Sequence, residues 1–273
     1  MTRSLLGEMP QIRRAREYRL YSASGKRFLD FYQDGGHAIL GHRPSRTILD
    51  IKNLLSRGQI AAYPSAYFAQ AKKALLTLFP TAKEFRLYKS LESAISAIEL
   101  HTGETIRPEM MSDPGRDDEC SGRCSLWRPF VDEDRMGAPV LVPILPIPMP
   151  PAPAVVVFRE KPSPDVPVSD ICSPVSLVAL KRGIYDLIRF MEDTDRKAWE
   201  AFDGIDPWSR YGPYLNLAID LADFPQVFHG FLEGGIVISP IFGRPSIIPP
   251  LYTTGEVKHF DKYRDFGAIH GNS

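Results

Sequence analysis

The stretch Pro139-Val-Leu-Val-Pro-Ile-Leu-Pro-Ile-Pro-Met-Pro-Pro-Ala-Pro-Ala-Val-Val-Val-Phe158 contains twenty residues without a charged side chain. Its apolar composition is typical of a protein core, but its prolines break a helix or a central strand because each one removes a backbone hydrogen-bond donor. We therefore expect two short buried strands, Val140–Leu145 and Ala154–Phe158, joined by a proline-rich crossing. The same prolines argue against a membrane-spanning helix, although the stretch is long enough for one.

On both sides of this stretch, short strand patterns alternate with amphipathic helix patterns. Before it, the sequence predicts a hairpin that turns at Ser24-Gly25, helices after Ser45, Ser65 and Ser90, and a strand at Glu84–Tyr88. After it, the sequence predicts a long helix from Ser173, a helix at Pro225–Glu233, a strand from Ile236 and a last helix from Thr254. Residues 104–138 are rich in charged and small residues, so we expect an irregular, solvated loop there. The alternation predicts an α/β chain.

The charge balance excludes some partners. Thirty-three basic residues match thirty-three acidic ones, so the net charge offers no reason to expect nucleic acid or an anionic membrane as a partner. The first residues lack the apolar segment of an export signal, and a cytoplasmic location is therefore the expectation. Three cysteines agree with a reducing compartment. Cys120 and Cys124 have the spacing of half a zinc site, but no second Cys/His pair is visible, and free thiols in a polar loop are the alternative.

Two short segments are candidates for ligand binding. Lys89, Ser90 and Glu92 follow a predicted strand and open a predicted helix, and this arrangement can present backbone N–H groups to an anion. The alternative for Ser90 is a simple helix cap. The second segment is Asp34-Gly35-Gly36-His37, in which the glycines allow a sharp turn and a close approach of the backbone to a ligand. His37 is its candidate pocket residue.

Four segments in this order resemble the class III aminotransferases, the glutamate-1-semialdehyde aminomutase-like group of fold-type-I pyridoxal phosphate proteins. The hairpin with Ile39-Leu-Gly-His-Arg-Pro44 resembles the family's "D-G-x-x-Y-I-D-F … L-G-H-x-x-P" opening. Phe85–Glu92 resembles its strand and "S-G-T-E-A" phosphate loop. Cys172–Leu180 resembles the start of the long helix after its lysine loop. Phe231–Pro240 and Ile247–Val257 resemble its C-terminal domain.

The resemblance implies a reduced fold-type-I architecture with a small domain built from both ends of the chain. The N-terminal part of the small domain would span residues 1–62, a truncated large domain 63–172, and the long helix with the C-terminal part of the small domain 173–273. The family is dimeric with its site at the subunit interface, so the resemblance also implies a homodimer. A small-molecule ligand is the other implied partner.

The chain departs from the family pattern where the cofactor is held. The stretch Pro139–Phe158 aligns with the family's "P-D-L-V-T-L-x-K … G-A-V-V", and Pro146 stands where the Schiff-base lysine should be. Leu91 replaces the family's Gly-Thr in the phosphate loop. Asp132-Glu133 is the only candidate for the acid that pairs with the cofactor's ring nitrogen. A proline cannot form an imine, so ordinary transamination is expected to be lost.

Three functional hypotheses follow. The first is an aminotransferase-like protein without a catalytic residue or cofactor, which still binds a phosphorylated or amino-acid-like molecule. The second is an active pyridoxal phosphate enzyme with relocated groups, in which Lys161, or less readily Lys181, replaces the missing lysine. The third is a non-catalytic interaction subunit whose Trp127, Trp199 and Trp208 serve a partner, although packing in the core is the simpler role for each.

Overall fold

The computed structural model describes residues 4–108, 111–116, 122–132, 137–147 and 152–263. The chain forms two compact units. Unit 1 contains residues 1–43 and 194–273 with the short segment 115–117, and unit 2 contains residues 44–114 and 118–193. The three-part domain division expected from the sequence stays a prediction.

The elements are numbered in chain order. The strands are β1 (Ile12–Arg16), β2 (Arg19–Ser22), β3 (Arg27–Asp30), β4 (Glu84–Tyr88), β5 (Cys124–Trp127), β6 (Val140–Pro143), β7 (Ala154–Phe158), β8 (Trp208–Tyr211), β9 (Tyr214–Leu217), β10 (Ile236–Val237) and β11 (Ser246–Ile247). The α-helices are α1 (Ser45–Leu55), α2 (Ala66–Leu78), α3 (Leu91–Thr102), α4 (Pro174–Asp193), α5 (Phe224–Glu233), α6 (Thr254–Val257) and α7 (His259–Tyr263). Short 3-10 helices lie at Leu5–Glu8, Gln33–Gly36 and Arg196–Phe202. None of the helices in the described ranges is both long enough and apolar enough to cross a membrane.

Unit 1 contains two small sheets. One has the order β1-β2-β3-β10, antiparallel except for the parallel β3–β10 pair, and the other has the order β11-β9-β8. Aromatic rings fill its interior: Phe31 contacts both Phe202 and Phe260, and Phe231 packs on Phe260 with ring centroids 4.8 Å apart. The ends of the chain therefore meet in one core, as the resemblance implied for the small domain.

Unit 2 is built on a four-stranded sheet of order β4-β7-β6-β5. Helix α3 packs through Ala94, Ala97 and Ile98 against one face of this sheet. On the other face, Phe79 at the end of α2 contacts the rings of Phe85 and Trp127. Both faces are covered, which explains why every residue of β5 and β6 is buried and why these strands lack an alternating pattern.

The central stretch behaves largely as predicted. Strand β7 has the predicted bounds, and β6 begins as predicted but ends at Pro143, before the prolines of the crossing. The expectation of an irregular, solvated loop at 104–138 is wrong in one part, because the buried strand β5 lies within it. Only four residues long and buried on both faces, β5 has neither alternation nor length to reveal it. Its parallel pairing with β6 forms the strand.

Candidate functional site

One edge of the sheet in unit 2 gathers several of the candidate residues. Tyr88 at the end of β4 pairs with Ala154 at the start of β7, and Trp127 at the end of β5 pairs with Pro143 at the end of β6. The segments that leave these strands therefore emerge at the same edge. We call this edge the Ser90 edge, and it comprises Lys89, Ser90, Arg128 and Pro146.

At the start of α3, the polar groups have partners within the chain. The Ser90 hydroxyl oxygen accepts a hydrogen bond from the backbone N–H of Ser93 at 3.2 Å, so Ser90 caps the helix. The backbone N–H of Lys89 donates to Oδ2 of Asp170 at 2.8 Å. Glu92 places a second carboxylate in the first turn. Two negative charges thus lie where an anionic ligand would bind, and both oppose its binding.

The segment before α4 holds Asp170 in place. The backbone N–H of Asp170 donates to the carbonyl of Leu87 at 2.8 Å, and the N–H of Leu87 donates to the Ser169 hydroxyl at 3.1 Å. The Tyr88 hydroxyl donates to the carbonyl of Pro167 at 2.8 Å, and burial raises the pKa of Tyr88 to about 12. The segment therefore runs along the free side of β4 and fixes the carboxylate beside Lys89.

Pro146, which the motif resemblance aligns with the family's lysine, is buried and close to α4. A Cβ atom at Gly183 of α4 would overlap the carbonyl oxygen of Pro146, so the two backbones touch at this point. The sequence has no lysine between positions 144 and 153. Pro146 is thus packed against α4, and the crossing itself supplies no lysine.

The two substitute lysines lie elsewhere in unit 2. Lys161 is exposed and follows the last residue of β7, Phe158, which pairs with Val140 at the start of β6. It therefore leaves the sheet at the edge opposite Pro146. Lys181 lies on α4, and its ammonium donates to the side-chain oxygen of Gln70 at 3.1 Å. Neither lysine stands at the sequence position that the motif resemblance aligns with the family's lysine.

Sequence reasoning missed a buried ion pair at the Ser90 edge. Arg128 follows β5, and its Nε and Nη2 atoms donate to the two carboxylate oxygens of Asp113 at 2.5 and 2.7 Å. Both side chains are only 2% exposed. Arg128 directly follows a buried strand, and a charged residue in that place is a signal for a buried ion pair. The signal could not be recognised because β5 itself was not predicted. Asp132 was the candidate for the acid that pairs with the cofactor's ring nitrogen. It follows Arg128 in the chain and is exposed, and Glu133 lies outside the described residues.

The cysteines give no support for a metal site within the described ranges. Cys124 and Cys172 are buried free thiols, and burial raises their pKa values to about 12 and about 11. Cys120 lies outside the described residues. In the parts of the chain that the structure describes, no group of three or more His, Cys, Asp or Glu side chains could hold a metal ion.

The second candidate segment is a tight turn in unit 1. Gln33 and Asp34 have positive φ angles of 47° and 51°, a region in which non-glycine residues are uncommon. The buried Asp30 holds the turn, because its Oδ1 accepts the N–H groups of Tyr32 and Gln33 at 2.9 Å and its Oδ2 lies 2.7 Å from Nε2 of His42. His42 is therefore a structural residue of the turn.

Gln33 carries an unused acceptor in this turn. Its side-chain amide donates to the carbonyl of Ile247 at 2.9 Å, whereas its Oε1 atom has no hydrogen-bond partner among the described residues. The side chain is fully buried. Asp34 and His37 beside it are exposed. The turn Gln33–His37 thus combines an unsatisfied oxygen with an exposed carboxylate, and Gln33 had no sequence signal of its own.

Pyridoxal phosphate does not fit the residues of the Ser90 edge. The cofactor is held in its enzymes through an imine to a lysine, and its phosphate needs free N–H groups. Here the motif resemblance aligns the lysine with the buried Pro146, and the N–H of Lys89 is bonded to Asp170. We derive no chemical step through this cofactor.

Comparisons with known proteins agree with this architecture. No family model matches the chain. Uncharacterized proteins of Borreliella burgdorferi and Treponema pallidum are 27% and 26% identical to it, and the matches cover 94% and 88% of the chain and 91% and 89% of those proteins. The glutamate-1-semialdehyde 2,1-aminomutase of Clostridium acetobutylicum is 26% identical over 107 residues, which make up 39% of the chain and 25% of the aminomutase.

Solved structures extend the likeness to nearly the whole chain. The ornithine aminotransferase of Toxoplasma gondii matches with a TM-score of 0.66 at 12% identity, covering 97% of this chain and 92% of that one. An omega-transaminase of Sphaerobacter thermophilus matches with a TM-score of 0.61 at 14% identity, over 97% and 92% of the two chains. The chain therefore has the fold of the pyridoxal phosphate-dependent class III aminotransferases, and the resemblance seen in its motifs is confirmed.

Proposed function

We propose that this protein has the aminotransferase fold but has lost the Schiff-base lysine and ordinary transamination, and that it binds an amino-acid-like small molecule. The observation that carries the proposal is Pro146, which is buried against Gly183 where the family has its lysine. Transamination needs that lysine as the cofactor's tether and as the base that moves the proton. Lys161, at the opposite edge of the sheet, is too far along β7 to replace it.

The ligand class follows from which polar groups remain unused. The anion site at the start of α3 faces the carboxylates of Asp170 and Glu92, which argues against a phosphorylated ligand there. The turn Gln33–His37 instead offers oxygen acceptors, the buried Oε1 of Gln33 and the exposed carboxylate of Asp34. Such atoms accept hydrogen bonds from an ammonium group. We therefore favour an amine-bearing ligand.

The loss of cofactor chemistry can be tested directly. The protein would be mixed with pyridoxal phosphate and reduced with borohydride, and its modified lysines would be located by peptide mass spectrometry. We expect labelling of Lys161 no greater than that of Lys52, an exposed lysine on α1 that serves as the control. Stoichiometric labelling of one lysine, abolished by Lys161→Ala but not by Lys52→Ala, would overturn the proposal and establish the relocated enzyme.

The ligand class needs a separate experiment. Calorimetric titration with L-ornithine and L-glutamate, alongside glutarate, which lacks the amino group, should show saturable binding of an amino acid and none of glutarate. Asp34→Asn should weaken that binding, whereas Asp220→Asn, an equal change at another exposed site of unit 1, should leave it unchanged. Equal responses to glutamate and glutarate would refute recognition of the amine.

We also propose that the protein is a homodimer. The support is its likeness to the family, in which the site lies at the subunit interface. Light scattering coupled to size-exclusion chromatography should give twice the mass of the 30.7 kDa chain. A monomer at micromolar concentration would remove this part of the proposal and leave the two preceding experiments unaffected.

A further inference from the structure

Unit 1 has a second polar surface, which is formed by segments of the chain other than the turn Gln33–His37. In the sheet β1–β2–β3, Arg14 pairs with Tyr21, and Tyr21 pairs with Arg27, while Arg16 pairs with Arg19 on the adjacent rung. Paired residues and residues two apart share a face of a sheet. Four arginines therefore lie on one face. The opposite face carries Ala15, Leu20 and Phe28, which pack in the core.

Arg19 is a fixed part of this surface. Its Nε and Nη2 atoms donate to the two carboxylate oxygens of Glu256 at 2.8 Å, and the side chains are only 17% and 12% exposed. Glu256 is also held by Thr253, whose backbone N–H and hydroxyl donate to Oε2 at 2.9 and 3.1 Å in a capping box at the start of α6. Among the residues described, Glu256 has the only carboxylate within hydrogen-bonding distance of Arg19. Its two oxygens are already hydrogen-bonded by Arg19 and Thr253.

Two guanidinium groups beside this pair keep donors available. Arg27 lies 3.5 Å from Glu256 and is 57% exposed, and Arg16 lies 3.8 Å from Glu17 and is 59% exposed. Neither makes a hydrogen bond to the described part of the chain at these distances. Arg14 lies with its guanidinium carbon 5.1 Å above the ring of Tyr21 and covers one side of the surface.

A cavity of about 320 Å³ opens between these groups. Its lining comprises Arg16, Glu17, Arg19, Tyr21, Arg27, Thr253 and Glu256. The volume lies at the lower end of the range for small-molecule sites. Three arginines outnumber the two carboxylates of the lining, and the carboxylate of Glu256 is neutralised by Arg19. Neighbouring strands are about 5 Å apart, and Arg27 on β3 lies about 7 Å along the strands from the rung of Arg16 on β1, so the two arginines approach a ligand from two sides, about 12 Å apart at the backbone.

We propose that this cavity binds a compact ligand with two phosphate groups, of the diphosphate class. Arg16 would bind one phosphate and Arg27 the other, because the planar guanidinium fork matches phosphate oxygens bidentately. The Arg19–Glu256 pair forms the floor and positions the strands. If these arginines served only to prevent the edge strand from pairing with another chain, we would expect all of their side chains to be exposed. Here the arginines line an open cavity whose floor, the Arg19–Glu256 pair, is mostly buried and hydrogen-bonded.

The test uses inorganic pyrophosphate with the full chain at low ionic strength. Calorimetric titration should show one saturable site, with orthophosphate binding at least about tenfold more weakly because it engages one arginine at a time. Arg16→Gln combined with Arg27→Gln should weaken pyrophosphate binding by about tenfold or more. Thermal unfolding of the double variant should match that of the wild type, since the Arg19–Glu256 pair remains.

Arg13→Gln is the matched control, because Arg13 is an exposed arginine of the same strand that does not line the cavity. It should change pyrophosphate binding by less than about twofold, through screened long-range charge alone. Equal losses in the control and in the double variant would mean nonspecific attraction and would overturn the proposal. Binding of a hexaglutamate peptide without binding of pyrophosphate would overturn it in favour of an acidic protein partner.

Discussion

The Ser90 edge of unit 2 and the turn Gln33–His37 of unit 1 differ in how their polar groups are used. At the Ser90 edge, Asp170 accepts the N–H of Lys89 and Asp113 binds Arg128, so the charged groups satisfy each other. In the turn, both carboxylate oxygens of Asp30 also have hydrogen-bond partners, yet Oε1 of Gln33 has none among the described residues. The polar groups of the first region are thus used for contacts within the chain, whereas the second region has a buried oxygen whose hydrogen-bonding capacity is not used.

The comparison teaches that polar groups at one region of a fold can be used for internal contacts while those of another stay unsatisfied. A site that holds pyridoxal phosphate needs free N–H groups and a lysine. At the Ser90 edge, a carboxylate accepts the N–H of Lys89, and Pro146 packs on Gly183. If the proposed function is correct, changes in these contacts should alter stability at the Ser90 edge, and changes in the turn should alter ligand binding.

The largest effect is expected from the buried ion pair of the Ser90 edge. Arg128→Met removes the guanidinium that balances the buried carboxylate of Asp113, and we expect a loss of about 3–5 kcal/mol in the free energy of unfolding, measured by urea denaturation. The double variant Arg128→Met with Asp113→Leu should recover much of the loss, since it removes both charges. A single-variant loss within the error of the measurement would show that this edge is hydrated and open.

The second-largest effect is expected from Asp30, whose carboxylate stabilises the turn of unit 1. Asp30→Ala removes the acceptor of two backbone N–H groups and the partner of His42, and we expect a loss of about 1.5–3 kcal/mol in urea denaturation. Asp220→Ala, at an exposed site, is the control and should stay within about 0.5 kcal/mol of the wild type. If Asp30→Ala leaves amino-acid binding intact, the turn is not the ligand site.

Packing of the proline-rich crossing can be tested at Gly183. Gly183→Ala should cost roughly 1–3 kcal/mol in the free energy of unfolding, because the new methyl group meets the carbonyl oxygen of Pro146. Gly255→Ala in α6 is the control, since a Cβ there meets nothing within 4 Å, and it should be neutral or stabilising. Full tolerance of Gly183→Ala would mean that the crossing moves freely, as a cofactor loop can, and would break the comparison.

The smallest effect concerns the partly exposed pair of Arg19 and Glu256 in unit 1. Hydrogen bonds from Arg19 and then from Thr253 outweigh burial and lower the pKa of Glu256 from 4.5 to about 2. A carboxyl whose pKa is lowered by folding stabilises the protein above its ordinary pKa, and this contribution is lost as the pH falls through the folded value.

Glu256→Gln should therefore lower the melting temperature at pH 7 by a few degrees at most, for a cost of about 1 kcal/mol or less. The difference between the variant and the wild type should shrink as the pH falls from about 4.5 to about 2. The measurement is thermal unfolding across that pH range. A difference that does not change with pH would show that shape, not charge, explains the effect of the substitution.

Much of the fold could be predicted from local patterns. The bounds of β4 and β7, the Ser65 and Ser90 caps and the long helix α4 follow from periodicity and capping chemistry, which depend on neighbouring residues alone. Strand β5 could not be predicted, because its four residues acquire their conformation from parallel pairing with a segment more than ten residues away. Strand β1, exposed and rich in arginine, gave no hydrophobic signal.

The candidate sites divide in the same way. Asp34–His37 and Lys89–Ser90 were visible as glycine-rich and strand–turn–helix segments. Their partners were not, since Asp170 lies about eighty residues from Lys89 and Asp113 lies fifteen residues from Arg128. Gln33 looked like an ordinary polar residue, and only burial against Ile247 makes its free oxygen informative.

The sequence by itself determined the α/β pattern and the likeness to class III aminotransferases, because both are written in the order of the residues. Only the tertiary structure decided that Asp170 meets the start of α3, that Pro146 packs on Gly183 and that four arginines share a face of one sheet. The physical reason is that periodicity and capping act over a few residues. Charge pairing, burial and strand register depend on distances in space between segments far apart in the chain.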